Sequence, residues 1–297
     1  MKKFTEKFIK KFTKINIEIS NVCNLHCSFC PEVIREKGFI DLDLFRRIIE
    51  QVGPITEQVC FHLMGEPLVH PKLQQLIEIC HEYSVRIFLV SNGVLLREKQ
   101  AELLLHPAFR QVNFSIHSFN DNFKNQDPTR YLERIFAYTE EAFEKRPDLF
   151  INYRLWNLKG PRGTDPKNQD ILLRVEERFG VKMNRDINLD VQRSYRVKNR
   201  LYLNFDTEFT WPALDLPILG VTGRCRGLSN HFGILVDGTV VPCCLDKEAA
   251  IPLGKIQDES ILDILSNERA QTILKGFQRG KLIHDLCQRC QFIERFN

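Results

Sequence analysis

The chain of 297 residues has no run of about 18 apolar residues, so nothing in it reads as a membrane-spanning helix. Its N-terminus is basic but has no uninterrupted apolar stretch behind it, which excludes a secretory signal. Gly (15) and Pro (13) are too few for a fibrous or low-complexity protein. Charge of one sign is scarce as well: 42 Lys and Arg stand against 38 Asp and Glu. Six Lys and one Glu fall within the first fourteen residues, so the rest is close to neutral. No basic surface broad enough to dominate nucleic-acid binding shows in the composition. The apolar (43%) and charged (27%) fractions are those of a globular chain, long enough for two domains or one large one. In the basic N-terminal segment Phe4, Phe8 and Phe12 stand four apart, which predicts a short amphipathic cap on the body. The alternative is a basic arm that touches a membrane, nucleic acid or an acidic protein.

What the sequence does have is ten cysteines. That is too few for a disulfide scaffold, and without a secretory signal the expected compartment is the reducing cytoplasm. Their spacing gives the thiols another purpose. Cys23, Cys27 and Cys30 form C-x3-C-x2-C within NVCNLHCSFC. The alternating run KINIEIS before them reads as a strand, so the three lie on the loop at its C-terminal end, where α/β folds place their chemistry. Three thiolates this close call for metal. Zinc needs a fourth ligand, His26 or a distant residue; a [4Fe–4S] cluster on three thiolates keeps one iron open, and spacing alone leaves both in play. A second set, Cys225, Cys243, Cys287 and Cys290, ends in a C-x2-C and suits zinc or iron–sulfur equally. Cys60 and Cys80 sit in apolar segments and read as small buried hydrophobes. Cys244 adjoins Cys243, and neighbours on a strand face opposite ways, so one of that pair is expected at a given centre.

Strand and helix patterns alternate from Lys14 onward. Strands are predicted at 14–20, 57–63, 85–90, 111–117, 149–156 and 201–205. Helices are predicted at 41–52, opened by Asp41 or Asp43, at 71–83 with Pro71 in the first turn, and at 96–105, 129–145 and 165–179. Such alternation predicts parallel strands with right-handed crossovers, in a partial (β/α)6 TIM-like barrel or an open doubly wound sheet. The Arg-rich stretch 184–200 reads as a solvated loop, with the mouth of a substrate site as the other reading. Residues 207–224 read as a Pro- and Gly-punctuated linker. HFGILVDGTVVPCC then predicts a hairpin about Asp237-Gly238, and 260–276 a helix with Ser260 as N-cap.

On these residues the chain resembles the radical S-adenosylmethionine (SAM) superfamily over about residues 14–206. Cys23-x3-Cys27-x-Phe29-Cys30 is similar to the family signature CxxxCxΦC, and Met64-Gly65-Glu66-Pro67 to its GGEP motif with Met in the first position. Ser91-Asn92-Gly93 is similar to a segment found after the family's third strand, and Ser115 to His117 to one after the fourth. The resemblance implies that Cys23, Cys27 and Cys30 hold a [4Fe–4S] cluster with SAM at its open iron. It implies that SAM is contacted by Phe29, Gly65, Glu66, Asn92, Ser115 and Arg154, the last through the SAM carboxylate. Reductive cleavage would then yield a 5′-deoxyadenosyl radical that abstracts hydrogen from a substrate. The electron would come from a low-potential donor of flavodoxin or ferredoxin type.

From Cys225 the pattern C-x12-G-x4-C resembles the SPASM and Twitch extensions of that superfamily, and four ligands suit one auxiliary [4Fe–4S] cluster. The implied layout is a basic segment at 1–13, a core at 14–206, a linker at 207–224 and an auxiliary-cluster domain at 225–297. A saturated second cluster suits two-electron oxidation of a small molecule, sugar or nucleotide. A family member with this arrangement oxidises a secondary alcohol on an aminocyclitol. The alternatives are a peptide-modifying maturase, disfavoured by the short segment before Lys14, an epimerase with Cys244 as hydrogen donor, and a zinc or iron–sulfur nucleic-acid-binding protein.

Overall fold

The computed structural model describes residues 12–124, 126–163 and 165–296, with side chains described to Ile293. Most of the N-terminal cap expected around Phe4 and Phe8 lies outside them. Phe12 is buried, with its ring edge-on to Phe232 at 5.0 Å.

Strands β1 (Ile15–Ile17), β2 (Gln58–Phe61), β3 (Arg86–Ser91), β4 (Phe109–Ser115), β5 (Phe150–Leu158), β6 (Ser194–Lys198), β7 (Leu201–Thr207), β8 (Gly233–Ile234), β9 (Thr239–Val241) and β10 (Gly254–Lys255) form one sheet, in the order β10-β9-β8-β1-β2-β3-β4-β5-β7-β6. The run β1-β2-β3-β4-β5-β7 is parallel throughout and matches the six predicted strands. The sheet stays open, an unclosed barrel with β10 and β6 at its edges. Helices α1 (Leu42–Val52), α2 (Leu73–Glu82), α3 (Glu98–Leu104), α4 (His117–Asn122), α5 (Thr129–Lys145) and α6 (Pro166–Phe179) lie in the connections between the parallel strands, and α7 (Ile261–Ser266), α8 (Glu268–Gln278) and α9 (Asp285–Gln288) follow β10.

Local chemistry explains the helix ends. Asp41 caps α1 by accepting from the Asp43 and Leu44 amides, and Asp165 caps α6 ahead of Pro166. Three details depart from expectation. α2 starts at Leu73, so Pro71 precedes it. The helix expected at 260–276 is two, because Asn267 turns extended and its side chain accepts from the Ala270 amide, starting α8 afresh after α7. The stretch 184–200 contains β6, an antiparallel edge strand on β7 with alternating exposure, rather than a loop throughout.

The C-terminal hairpin forms as predicted, with Gly233 opposite Val241 and Ile234 opposite Val240. Its first strand, β8, also pairs in parallel with β1, bringing residues 217 apart in sequence into one ladder. The auxiliary segment therefore continues the sheet of the core. No helix among the described residues is long and apolar enough to cross a membrane.

Candidate active site

The loop after β1 carries Cys23, Cys27 and Cys30 at the C-terminal ends of the parallel strands. Two clamps fix it. At one end, Gly65 runs so close to the loop that a Cβ there would sit 2.3 Å from the Ser20 carbonyl oxygen and 2.8 Å from that of Val22. The next amide, Glu66 N–H, donates to Val22 O at 2.9 Å. Glu66 is buried, and its carboxylate accepts from Leu68 N–H (3.0 Å), Ser91 O–H (2.7 Å) and Asn92 N–H (2.7 Å). Burial pushes its pKa up, and these three donors pull against that. The carboxylate thus ties the end of β2 to the end of β3. Asn92 passes the tie back to the loop by donating to Asn24 Oδ1 at 2.9 Å, and its carbonyl accepts from Tyr131 O–H at 2.8 Å.

The second clamp is the end of α4, an element the sequence reading missed. Asp121 accepts from the Ser28 amide (2.6 Å) and hydroxyl (2.7 Å), and Asn122 accepts from the His26 amide (2.9 Å). Asn122 Nδ2 also donates to Cys27 Sγ at 3.0 Å. An N–H on a ligating sulfur stabilises the more reduced state of a cluster. In the cluster that the resemblance places on Cys27, Asn122→Leu is therefore expected to lower the midpoint potential by about 50 mV, roughly 1.2 kcal/mol for one electron. A redox titration followed by electron paramagnetic resonance checks it, and an unchanged potential would remove Asn122 from that role.

Burial pushes the thiol pKa values of Cys23 and Cys27 up and takes Cys30 to about 12. As free groups they are protonated, so binding iron must release protons. The other four thiols stand around a gap of about 30 Å³ with apolar walls from Pro212, Leu245, Ile251, Phe277 and Leu286. A zinc ion at 2.3 Å from each sulfur would draw them to about 3.8 Å from one another. Among the described residues no three His, Cys, Asp or Glu side chains converge to hold a metal ion. Cys243 borders this gap while Cys244 does not.

Between the two sets lies a chamber of about 260 Å³. Phe29 and Cys30 form part of one wall, with Phe29 packed on His117 at 4.8 Å; Cys225, Cys243 and Cys290 form another part. The strands and their flanking residues supply more of the wall in pairs two residues apart, an alternation that turns both members to one face: Lys14 and Asn16, Cys60 and His62, Phe88 and Val90, Arg154 and Trp156. Cys60 and Cys80 are both buried, as their apolar contexts predict, and Cys60 also lines the chamber, as does Cys244. Ser115 lines the chamber too, as do Glu208, Phe209 and Trp211, so the expected linker is also a wall. Burial holds His117 down to about 4, His62 to about 3 and His231 to about 4, so all three imidazoles are neutral near pH 7.

A parallel αβ sheet with a three-cysteine loop after its first strand, facing a second cysteine set across one chamber, defines the class. The chain belongs to the radical SAM superfamily: the superfamily's model matches residues 17–160, and that of SPASM, an iron–sulfur cluster-binding domain, matches residues 225–291. It is accordingly a SAM-dependent enzyme with a [4Fe–4S] cluster and an auxiliary iron–sulfur domain. It is 30% identical over 292 residues to the S-adenosyl-L-methionine-dependent 2-deoxy-scyllo-inosamine dehydrogenase of Niallia circulans, covering 95% of this chain and 93% of that one. It is 26% identical over 155 residues to a GTP 3′,8-cyclase of Clostridium perfringens, half of this chain and 48% of that one. The fold is shared with BtrN in complex with AdoMet and 2-DOIA (TM-score 0.57, 19% identity, covering 95% and 94%). It is also shared with SuiB of Streptococcus suis (TM-score 0.61, 16% identity, covering 96% and 74%).

Proposed function

We propose that this enzyme oxidises a small molecule by two electrons, with the substrate held between its two cysteine sets. The observation that carries this reading is the single chamber bordered by Phe29 and Cys30 on one side and by Cys225, Cys243 and Cys290 on another. The Niallia circulans relative, matched over nearly its whole length, is named as a dehydrogenase, which supports the same net reaction. In this reading Cys23, Cys27 and Cys30 hold the open cluster, and Phe29, Gly65, Glu66, Asn92 and Ser115 frame SAM beside it. Cys225, Cys243, Cys287 and Cys290 hold the auxiliary one. When bound, these groups supply a hydrogen-abstracting 5′-deoxyadenosyl radical and a one-electron acceptor. The chain's own part is to keep the substrate carbon near the Cys30 end while the second electron leaves toward Cys243, and to give the departing proton a route. Neutral His62 and His231 border the chamber, where burial and the nearby cations keep them unprotonated, as hydrogen-bonding groups rather than as the base. Electrons reach the open cluster from a low-potential donor of flavodoxin or ferredoxin type, in a reducing cytoplasm. The core (14–206), linker (207–224) and auxiliary domain (225–297) divide the work along the chain.

The test is Cys225→Ala in protein reconstituted without oxygen. Iron is expected to fall from about eight to about four per chain. Cleavage of SAM to 5′-deoxyadenosine under dithionite should persist within a few-fold of the parent. Loss of that cleavage in the variant, or its absence in the parent, would sink the two-site reading.

A further inference from the structure

The charged groups facing the chamber do not balance. Lys14 and Arg154 are its cations, and Glu208 is the carboxylate among its lining residues. Glu208 is already paired with Lys159 at 2.6 Å. Asp206, the acidic group whose field reaches Arg154, bonds Arg193 at 2.8 Å. Among the described residues no carboxylate lies within ion-pair distance of Arg154 or Lys14. The three chamber histidines are neutral, so they do not add to the count or offset it.

Arg154 is also held in a form that leaves its donors free. Its guanidinium lies over the Trp156 ring at 4.4 Å and near Phe88 at 5.7 Å. Trp156 is itself pinned by its indole N–H, which donates to Asn204 Oδ1 at 2.8 Å. Stacking uses the flat face of the guanidinium, and the N–H donors at its edge stay available in a fork that matches an oxyanion. No hydrogen bond from that edge occurs among the described residues. Burial draws its pKa down to about 10, so the group remains charged at neutral pH.

The fields of the two cations overlap: both fall on Cys60, His62 and Cys244. The thiols that Arg154 feels most are Cys60 and Cys244, not those of the loop after β1. The resemblance placed Arg154 against the carboxylate of SAM; its surroundings place it on the substrate side.

We propose that the chamber takes a substrate bearing an oxyanion, a carboxylate or a phosphate, seated between Arg154 and Lys14 against the Trp156 platform. This rests on the two-site reading above and narrows its substrate class. It also separates this chain from a relative whose named substrate carries an amine. A cation of that kind would meet two like charges here with no free carboxylate to receive it.

The experiment is calorimetric titration of the cluster-loaded, SAM-saturated protein with three probes of similar size: phenyl phosphate, benzoate and benzylamine. At least one anion should bind with a stoichiometry near one and weaken as salt rises, and benzylamine should give no saturable heat. The tighter anion names the headgroup. Arg154→Gln and Lys14→Gln should each weaken the anion at least tenfold, Arg154→Lys should retain part of the affinity, and Arg193→Gln, a cation outside the chamber, should change nothing. Iron content and visible circular dichroism show whether each variant is folded and loaded. The proposal is overturned if benzylamine binds as tightly as the anions or if neither anion binds. It is equally overturned if Arg154→Gln weakens SAM while leaving the anion unaffected. None of these readings requires turnover, so failure of the oxidation reading shows separately, as missing 5′-deoxyadenosine.

Discussion

Gly65→Ala is expected to cost the protein its first cluster and spare its second. The backbone at Gly65 has φ +74°, a left-handed value that costs an L-residue about 1–2 kcal/mol. The larger effect is contact. The new Cβ would meet the carbonyl oxygens of Ser20 and Val22 at 2.3 and 2.8 Å, and these are backbone atoms that cannot rotate aside. The loop must retreat, breaking the bond from Glu66 N–H to Val22 O and displacing Cys23 at the next position. Iron should fall to about four per chain, held by the C-terminal cysteines, and 5′-deoxyadenosine should vanish. Gly180→Ala is the control: φ there is +65° and nothing lies within 4 Å of a Cβ, so strain acts without displacement and iron should stay near the parent value. Full iron and SAM cleavage in Gly65→Ala would show that the loop does not depend on this approach.

Arg35→Ala should destabilise the folded chain by about 3–5 kcal/mol, because it strands a buried carboxylate. Glu18, just past the end of β1, is fully buried. Its two oxygens accept from Arg35 Nη2 at 2.9 Å, and one also accepts from Val236 N–H at 3.0 Å. Arg35 reaches further, donating through Nε to Lys247 O at 2.6 Å, while Glu248 accepts from the Ile34 and Arg35 amides. One cluster of bonds thus ties β1, the residues just past Cys30 and the residues just past Cys244. Burial already raises the Glu18 pKa, with Arg35 the strongest group opposing it, so removing Arg35 raises it further. A carboxyl with a folded pKa above its unfolded value favours the fold when protonated. That contribution is present at low pH and is lost as pH rises through the folded pKa. The deficit of Arg35→Ala should therefore be largest near pH 8 and shrink toward pH 5. Urea unfolding at both pH values measures it, and a pH-independent deficit would mean that packing, not charge, carries the effect.

Much of this site was legible before the fold. The cysteine spacing and the Met-Gly-Glu-Pro run stand in the sequence at the ends of predicted strands. The Glu66 partners did not, because Ser91 and Asn92 meet its carboxylate only once β2 and β3 are paired in register. The clamp from Asn122 to Cys27 spans 95 residues and leaves no local pattern. Cys60 is buried as its apolar context predicts, but its place on the chamber wall was not legible, because a strand in a parallel sheet is covered on both faces and QVCFHL reads as uniformly apolar. The period of two was nevertheless there. Lys14 with Asn16, and Arg154 with Trp156, put polar or charged groups at alternate positions of strands whose other face packs under helices. The single helix expected at 260–276 failed at Asn267, whose side chain serves a helix start better than a helix interior.

The pairing of β8 with β1 has a consequence in time. β1 leaves the ribosome well before its partner strand, which lies 217 residues downstream. At about 5–20 residues per second, that edge stays open for roughly 10–40 s during synthesis. An open strand edge invites pairing with another chain, and such a distant closure slows folding. The strand that leads into the cysteine loop is thus completed by nearly the last quarter of the chain.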